Sequence, residues 1–329
     1  DHKFLFTTNG GDNSVSSFGV SGDGRLTLLD RQSTGEAVVG KSGTAKSLAY
    51  SSASRTLFVL HAFGPNHIRA YGVDQGKLSL RPETHSVNTS TKTDRIPTHL
   101  ALSPDQKFLL VDILFDFRPA ANADGTPKLV VANAPDPDGL VVFPVGAGGS
   151  LGAPSFNDAG GAGPFFVAFL NGSADRFLNG VAVGDGVLIS RIDAGGKISN
   201  GPLVAIDTSL GKPSELCWLA ITSDNTLVFA TNFGYGTVSS FRIIDGKLTL
   251  AKDPASVVVP GDGKFRAVND LVSSGPSDSW ISPDDRFFYQ IYGNAAALMA
   301  YRIDKATASL KQVGRVAIPY NSPQGLAGY

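Results

Sequence analysis

The chain has 329 residues, of which 28 are Lys or Arg and 29 are Asp or Glu, so its formal net charge is −1. Such a balance excludes the strong positive field with which proteins hold nucleic acid or an anionic membrane surface. With 38 Gly, 19 Pro and 17% charged residues the composition favours turns over helices, and the single Cys excludes an intrachain disulfide and a thiolate zinc site.

The predicted elements follow one repeating pattern along the chain. A Gly turn followed two residues later by Leu or Ile recurs at Gly24, Gly76, Gly149, Gly196 and Gly246, and in a degenerate form at Ala308. Each turn follows an alternating run, such as 14–20 or 238–243, which is the pattern of a half-buried strand. A more apolar strand precedes each of these runs, and a further short strand precedes that one. Four strands in a meander are typical of a β-propeller blade.

The two ends of the chain complete this pattern. The segment 324–329 matches the innermost strand of a blade, whereas the N-terminus begins at 4–9 with a second strand. We therefore predict an all-β fold in one domain over 1–329, a β-propeller of six four-stranded antiparallel blades. The ring is expected to close by pairing of the N- and C-terminal strands, which removes open sheet edges. Long insertions are expected in the third blade (97–160) and the fifth (215–275).

Several short motifs accompany the repeats. They are Thr8-Asn9, Asn13-Ser14-Val15-Ser16-Ser17-Phe18, Gly24-Arg25-Leu26-Thr27, Ser103-Pro104-Asp105, Thr231-Asn232, Thr237-Val238-Ser239-Ser240-Phe241 and Ser282-Pro283-Asp284-Asp285-Arg286. With them the chain resembles the lactonase-type β-propellers, the family of bacterial 6-phosphogluconolactonase and fungal 3-carboxy-cis,cis-muconate cyclase. The resemblance implies hydrolysis or isomerising lactonisation of a small lactone or cyclic acid. It also makes seven blades, the usual number in that family, the alternative to six.

One element of that family departs from its pattern here. The family's Gly-Pro-Arg-His element, at the start of an inner strand, is replaced by Arg95-Ile96-Pro97-Thr98-His99. Pro97 and His99 match, but Thr98 stands at the Arg position. A substrate carboxylate or phosphate would then need another cation, and Arg95 and Lys46 are the candidates.

Propeller topology narrows the search for a site, because the start of strand one and the end of strand two open on the same face of a blade. A channel mouth where polar groups converge is a favoured ligand site. The predicted mouth residues are Lys46, His99, Glu215, Asp278 and Gln324 from strand-one starts, and Asn9, His61, Asp112, Asn232 and Tyr292 from strand-two ends.

Among these residues, His99 is the first candidate for a general base or acid, because imidazole titrates near neutral pH. The other catalytic candidates are His61, Lys46, Glu215 and Asp278. Each has a structural alternative: the histidines could cap the channel by hydrogen bonding, and the two carboxylates could cap backbone amides. The substrate-binding candidates are Arg95, Asp112, Phe115, Arg118, Asn232, Tyr292 and Gln324, with Phe115, Phe117 and Arg118 in a loop that could form a lid.

Three functions stay open at this point. The first is a lactonase-like enzyme with a His99 base and a neighbouring cation that stabilises the oxyanion. The second is a non-catalytic propeller that binds a ligand or a protein through the same face. The third is a calcium-dependent, gluconolactonase-like hydrolase with oxygen ligands from Glu215, Asn232, Asp278 and Asn9. Apart from that calcium alternative, no cofactor is predicted.

The sequence also carries weaker signs of location. No apolar run reaches the length of a membrane span, and the chain begins at Asp1 without an apolar leader. Two N-x-S/T sequons, at Asn88 and Asn171, are compatible with a glycoprotein. We expect a secreted or periplasmic monomer whose partner is a small molecule, with a fragment of a cytosolic protein as the alternative.

Overall fold

The computed structural model describes residues 2–36, 45–118, 120, 136–207, 211–267, 269–320 and 324–328. These residues form two compact units, and each is described by itself. Unit 1 comprises Asp1–Arg118, Asp138–Asn157 and Asp193–Lys197; unit 2 comprises Pro119–Pro137, Asp158–Ile192 and Ile198–Tyr329. The prediction of one domain over 1–329 stays a prediction.

Unit 1 contains three antiparallel sheets. Blade 1 is formed by β1 (Phe4–Asn9), β2 (Ser14–Val20) and β3 (Leu26–Ser33). Blade 2 is formed by β4 (Ala45–Ser51), β5 (Thr56–His61), β6 (Ile68–Asp74) and β7 (Lys77–His85). Blade 3 is formed by β8 (Ile96–Leu102), β9 (Phe108–Phe115), β10 (Leu140–Pro144) and β11 (Ser155–Asn157).

Unit 2 contains the other three sheets. Blade 4 is formed by β12 (Pro164–Phe169), β13 (Arg176–Val181), β14 (Gly186–Ile192), β15 (Ile198–Asn200) and β16 (Val204–Ala205). Blade 5 is formed by β17 (Leu216–Ile221), β18 (Leu227–Asn232), β19 (Thr237–Ile244) and β20 (Lys247–Lys252). Blade 6 is formed by β21 (Pro276–Ile281), β22 (Phe287–Tyr292), β23 (Ala297–Asp304) and β24 (Ser309–Ala317).

The chain is therefore an all-β protein, a β-propeller of six blades, as predicted from the repeats. Within unit 1 the first strand of blade 2 lies beside that of blade 3, and within unit 2 the first strands of blades 4, 5 and 6 lie side by side. The 3-10 turn Gly293–Ala295 is the only helix among the described residues, so they contain no helix long and apolar enough to span a membrane.

The recurring turn has a local physical cause. Gly24, Gly76, Gly149, Gly196 and Gly246 all have φ between 74° and 82°. That left-handed conformation costs glycine little, which explains why the sequence returns to glycine at this step. At the sixth repeat, Ala308 adopts φ 54° in place of glycine.

Ser103-Pro104-Asp105 and its equivalents join the first strand of a blade to the second. Ser103 Oγ donates to Asp105 Oδ1 at 2.7 Å and accepts the Phe108 N–H at 3.0 Å. Ser282 makes the same two contacts, to Asp284 and from Phe287. The motif is thus a hydrogen-bonded turn that fixes the register of the two strands.

The end of the chain differs from the prediction. Blade 1 contains three strands, and the described residues 324–328 form no strand. The Leu326 N–H instead donates to Asp278 Oδ2 at 2.9 Å, and Gly328 lies against the Trp280 ring. The described terminal residues therefore contact β21, the first strand of blade 6, and pairing of the two chain ends stays a prediction.

Apolar residues fill the spaces between neighbouring blades of each unit. In unit 1, Phe58 and Leu60 of blade 2 pack with Leu100 and Val111 of blade 3. In unit 2, Phe229 of blade 5 stacks on Phe288 of blade 6, with ring centroids 5.2 Å apart. The predicted insertions follow β9 and β20, and most of the first one, 119 and 121–135, lies outside the described residues.

Candidate functional site

The strand boundaries place the two most informative predicted residues deeper in the sheet than expected. His99 is the fourth residue of β8, and Asp112 lies three residues before the end of β9. The two residues are register partners, with His99 Nδ1 4.0 Å from Asp112 Oδ2. Side chains of register partners project from the same side of a sheet, so this histidine and this carboxyl form one pair in unit 1.

Burial sets the charge state of the pair. The Asp112 side chain is 0% exposed, and neither carboxyl oxygen has a hydrogen-bond partner among the described residues. Burial raises the pKa of Asp112 well above its ordinary value. Burial also lowers the pKa of His99 to about 3, although 19% of its side chain stays exposed. Burial therefore favours the uncharged form of both groups, and His99 remains in reach of solvent.

The repeat itself shows that the fold does not require a carboxyl at this position. Counted from the turn before strand two, the residues equivalent to Asp112 are Leu60 in blade 2, Thr231 in blade 5 and Ile291 in blade 6. An unpaired buried carboxyl costs stability that these blades avoid. Asp112 is thus a departure from the repeat, as expected for a functional group.

The other predicted catalytic residues of unit 1 occupy different surroundings. His61 is fully buried, with Nε2 3.0 Å from Thr34 Oγ1 and Nδ1 3.2 Å from the His67 carbonyl oxygen. Burial lowers the pKa of His61. Lys46 is exposed on β4. His61 therefore joins blade elements by hydrogen bonds, which is the structural role left open by the sequence.

Arg95 is predicted to bind the substrate as a cation, but its guanidinium forms ion pairs with carboxylates of unit 1. Its side chain is 0% exposed, and Nη2 lies 2.9 Å from Asp116 Oδ1 and 2.7 Å from Asp138 Oδ1. Lys92 Nζ contacts the same two carboxylates at 2.7 and 2.6 Å. This network of two cations and two anions ties the segment before β8 to both ends of the blade 3 insertion.

The proposed lid residues begin at the end of β9. Phe115 is half-buried and is the last residue of that strand. Arg118 packs over the Phe63 ring with Cζ 4.0 Å from its centroid, and Nε lies 3.3 Å from Asp94 Oδ2. Phe117 between them is 58% exposed. The described start of the insertion is therefore fixed to blade 2 through Arg118, and the lid role itself stays a prediction.

In unit 2, Glu215 precedes β17 with φ 56° and is 9% exposed. Its Oε1 accepts the Asn269 N–H at 2.7 Å. This contact holds the insertion of blade 5 onto the start of β17. It agrees with the backbone-capping alternative.

Asp278 of β21 contacts the C-terminal segment of unit 2, to which Gln324 belongs. The Asp278 carboxylate accepts N–H groups from Leu326 and Ser279, each at 2.9 Å, and burial raises its pKa to about 6. Gln324 is exposed and belongs to no strand. Counted back from the turn, Asp278 takes the position of His99, but it lies in a register shift of β21 without a pairing partner on β22.

Asn232 and Tyr292 end β18 and β22. Asn232 Nδ2 donates to Thr237 Oγ1 at 2.9 Å and to Ser239 Oγ at 2.6 Å. Tyr292 is 0% exposed, and its hydroxyl lies 3.0 Å from that of Tyr301. Tyr292 therefore packs in the core between blades 5 and 6 and presents no surface to a ligand.

The predicted calcium ligands already take part in hydrogen bonds. One oxygen of Glu215 and both oxygens of Asp278 accept backbone N–H groups, whereas Asn232 Oδ1 is buried without a hydrogen-bond partner among the described residues. In unit 1 the Asn9 amide donates to Ser14 and Ser16. Calcium takes six to eight oxygen ligands, and the calcium site stays a prediction.

The sequence reasoning named His99 and Asp112 separately and missed their pairing. Counting from the Ser103 turn pairs Leu102 with Leu109, and the same count pairs His99 with Asp112. It also missed Gln290 on β22, whose Oε1 is buried without a hydrogen-bond partner among the described residues. Gln290 belongs to no sequence motif. Only the alternation of side chains between the two faces of β22 could have predicted that it is buried.

Comparison with solved structures shows the fold. A proposed 6-phosphogluconolactonase from Bacteroides fragilis is 16% identical, with a TM-score of 0.69 over 98% of this chain and 83% of that one. A periplasmic gluconolactonase from Pseudomonas aeruginosa is 14% identical, with a TM-score of 0.69 over 96% and 83%. A hypothetical selenium-binding protein from Sulfolobus tokodaii is 11% identical, with a TM-score of 0.63 over 96% and 76%.

No family model and no curated protein sequence matches the chain. At these identities the similarity shows a β-propeller of the kind found in 6-phosphogluconolactonase-like and gluconolactonase structures. One fold commonly hosts unrelated functions. Activity must therefore be argued from the site.

Proposed function

We propose that the chain hydrolyses a small lactone at the His99–Asp112 pair. The observation that carries the proposal is a fully buried carboxyl without a described hydrogen-bond partner, 4.0 Å from a histidine that is 19% exposed. Structures named for lactonase activity share the fold, which supports a lactone as the substrate class.

The pair suits a hydrolysis that moves one proton in and out. Neutral His99 takes a proton from water as the water oxygen bonds to the lactone carbonyl carbon. Asp112, which gives its own proton to solvent on substrate binding, stabilises the imidazolium by its negative charge. When the ring C–O bond breaks, the imidazolium proton passes to the leaving oxygen. The product is an open-chain hydroxy acid, and Asp112 takes up a proton from solvent again when the product leaves.

The surroundings of the pair favour an uncharged lactone. Thr98, the neighbour of His99, stands where the resembling family has Arg, and the Arg95 guanidinium is held by Asp116 and Asp138. A phosphate or carboxylate would therefore find neither an Arg at position 98 nor a free Arg95 guanidinium, and Lys46 is the other candidate cation. Isomerising lactonisation of a carboxylated substrate is the less favoured form of the proposal for the same reason.

A ligand-binding propeller without catalysis is the second candidate. It is favoured by the pKa of His99, which burial lowers to about 3 and which makes the free imidazole a weak base. Binding without turnover is the result that separates this candidate from the enzyme.

The test measures acid release by pH-stat on glucono-1,5-lactone and on an aromatic lactone, with spontaneous hydrolysis subtracted. We expect His99→Ala and Asp112→Asn to lose about 100-fold or more in kcat. The matched control is His85→Ala, because His85 packs on Phe143 at the end of β7 and has no part in the pair. Equal rates for wild type and His99→Ala, or no rate above background, would contradict the enzyme proposal.

We propose further that the protein is a secreted or periplasmic monomer. The absence of a spanning helix among the described residues is compatible with that location. Glycosylation has less support, because Asn88 Nδ2 donates to the Thr93 carbonyl and Asn171 Nδ2 to the Thr222 carbonyl. Mass spectrometry of protein secreted by a eukaryotic host tests the two sequons, and size-exclusion chromatography with light scattering tests the monomer.

A further inference from the structure

A groove of about 560 Å³ lies on unit 2, and none of its lining residues belongs to the proposed lactonase site. Its floor is the outer half of blade 6, and its wall is the segment 257–262 that follows blade 5. The volume falls within the roughly 300–1,000 Å³ of small-molecule sites. Its lining includes Val257, Val258, Asp262, Met299, Lys311 and Arg315.

The wall is held in place and presents apolar side chains. The Ala255 N–H donates to the Val238 carbonyl at 2.7 Å, and the Leu310 N–H donates to the Ala255 carbonyl at 2.9 Å. Val257 and Val258 follow Ala255 in the chain, and their side chains are 86% and 51% exposed. A fixed segment with two adjacent exposed valines beside a cavity is typical of a binding surface.

The floor combines apolar residues with one cation on the same face. Met299 pairs with Arg315, and Tyr301 pairs with Gln312, so these four side chains project from one side of the sheet. Met299 and Tyr301 are 4% and 2% exposed. Arg315 Nη2 contacts the Ala295 carbonyl at 3.3 Å, and no described carboxylate forms an ion pair with it.

Charge determines the class of ligand. Arg315 and Lys311 line the groove without ion-pair partners among the described residues, whereas the lining carboxylate Asp262 lies 3.8 Å from Lys264. The groove therefore offers uncompensated positive charge next to Val257, Val258 and Met299. From this combination we infer that the groove binds a small amphipathic carboxylate, with its head group on Arg315 and its apolar part between the valine wall and Met299.

The chain supplies its own reporter for this site. Met299 is the only methionine, so labelling with ¹³C-methyl methionine gives one signal, and it comes from the floor of the groove. We expect a saturable shift of that signal on titration with octanoate. Octylammonium, which has the same chain length and the opposite charge, should bind more weakly by roughly tenfold or more.

Two variants test the two halves of the groove. Arg315→Gln should weaken octanoate binding by roughly tenfold and leave the Met299 signal of the free protein near its position. Val257→Ser should weaken octanoate and octylammonium alike. The matched control is Lys247→Gln, which removes an exposed cation from β20 outside the groove and should leave the affinity unchanged.

Three results would overturn the inference: no shift of the Met299 signal, equal affinity for octanoate and octylammonium, or unchanged affinity in Arg315→Gln. A shift with an acidic, valine-rich peptide and none with octanoate would also overturn it, in favour of peptide docking. Rates of lactone hydrolysis are expected to be the same with and without octanoate, so the outcome is independent of the lactonase proposal.

Discussion

Replacing Asp112 by leucine should stabilise the protein and abolish lactone hydrolysis. Leucine already occupies the equivalent position of blade 2 as Leu60, and the register neighbours of Asp112 are His99 and Leu140. Removing an unsatisfied buried polar group is worth about 1–3 kcal/mol. For 329 residues, with an unfolding entropy of roughly 2.1 cal/mol/K per residue, that gain raises the melting temperature by about 1–4 °C.

The stability gained by Asp112→Leu should increase with pH. A carboxyl whose pKa is raised by folding stabilises the folded state while it is protonated, and that contribution is lost as the pH rises above its ordinary value of 3.8. Wild type therefore loses stability over this range, whereas the leucine variant has no group to titrate there. The difference between the two proteins should be small at pH 4 and larger at pH 8.

Urea and thermal unfolding at pH 4, 6 and 8 measure this difference for wild type, Asp112→Leu and Asp112→Asn. The matched control is Asp185→Leu, because Asp185 is also buried but accepts the Ser214 N–H and hydroxyl at 2.9 and 2.7 Å. That variant should be less stable than wild type. Our reasoning is refuted if Asp112→Leu is less stable than wild type at pH 8, or if its gain does not depend on pH.

Three further variants test roles assigned by the structure. Burial lowers the pKa of His67 from 6.5 to about 4, so the folded state loses stability as the pH falls below 6.5. His67→Gln should remove about 3 kcal/mol of this loss, and its urea midpoint should therefore change less than that of wild type between pH 8 and pH 4. Glu215→Gln should keep kcat and stability, because an amide oxygen can still accept the Asn269 N–H, and a large loss of kcat would restore a catalytic role. Arg95→Gln should cost about 3 kcal/mol or more by leaving Asp116 and Asp138 short of a cation, and an unchanged unfolding midpoint would contradict the buried network.

The blades could be predicted because their determinants are local. The glycine turns require a positive φ, and the Ser103 turn is closed by hydrogen bonds within five residues. Neither feature depends on distant parts of the chain. Pairing of the two chain ends is a long-range contact, and the described residues 324–328 show only their contacts with Asp278 and Trp280.

The site was predictable only in part for the same reason. His99 and Asp112 could be named from their places in the repeat, and their pairing follows from a turn that the sequence shows. The ion pairs of Arg95 could not be predicted from the repeat. Its partners Asp116 and Asp138 lie on the two sides of an insertion that is not part of the repeat. Residue type and strand position thus identified candidate charges, but not which charges are neutralised within the protein.

The buried pair also bears on whether the protein is an enzyme or a binder. In the free protein burial favours the uncharged form of both groups, and imidazole with a pKa of about 3 removes protons from water poorly. Ionisation of Asp112 would place a carboxylate 4.0 Å from His99 and raise the pKa of the imidazole. Catalysis therefore requires that substrate binding is coupled to ionisation of Asp112, whereas a ligand that leaves Asp112 protonated would bind without reaction. The same residues thus suit either function, and the charge state of Asp112 in the complex decides between them.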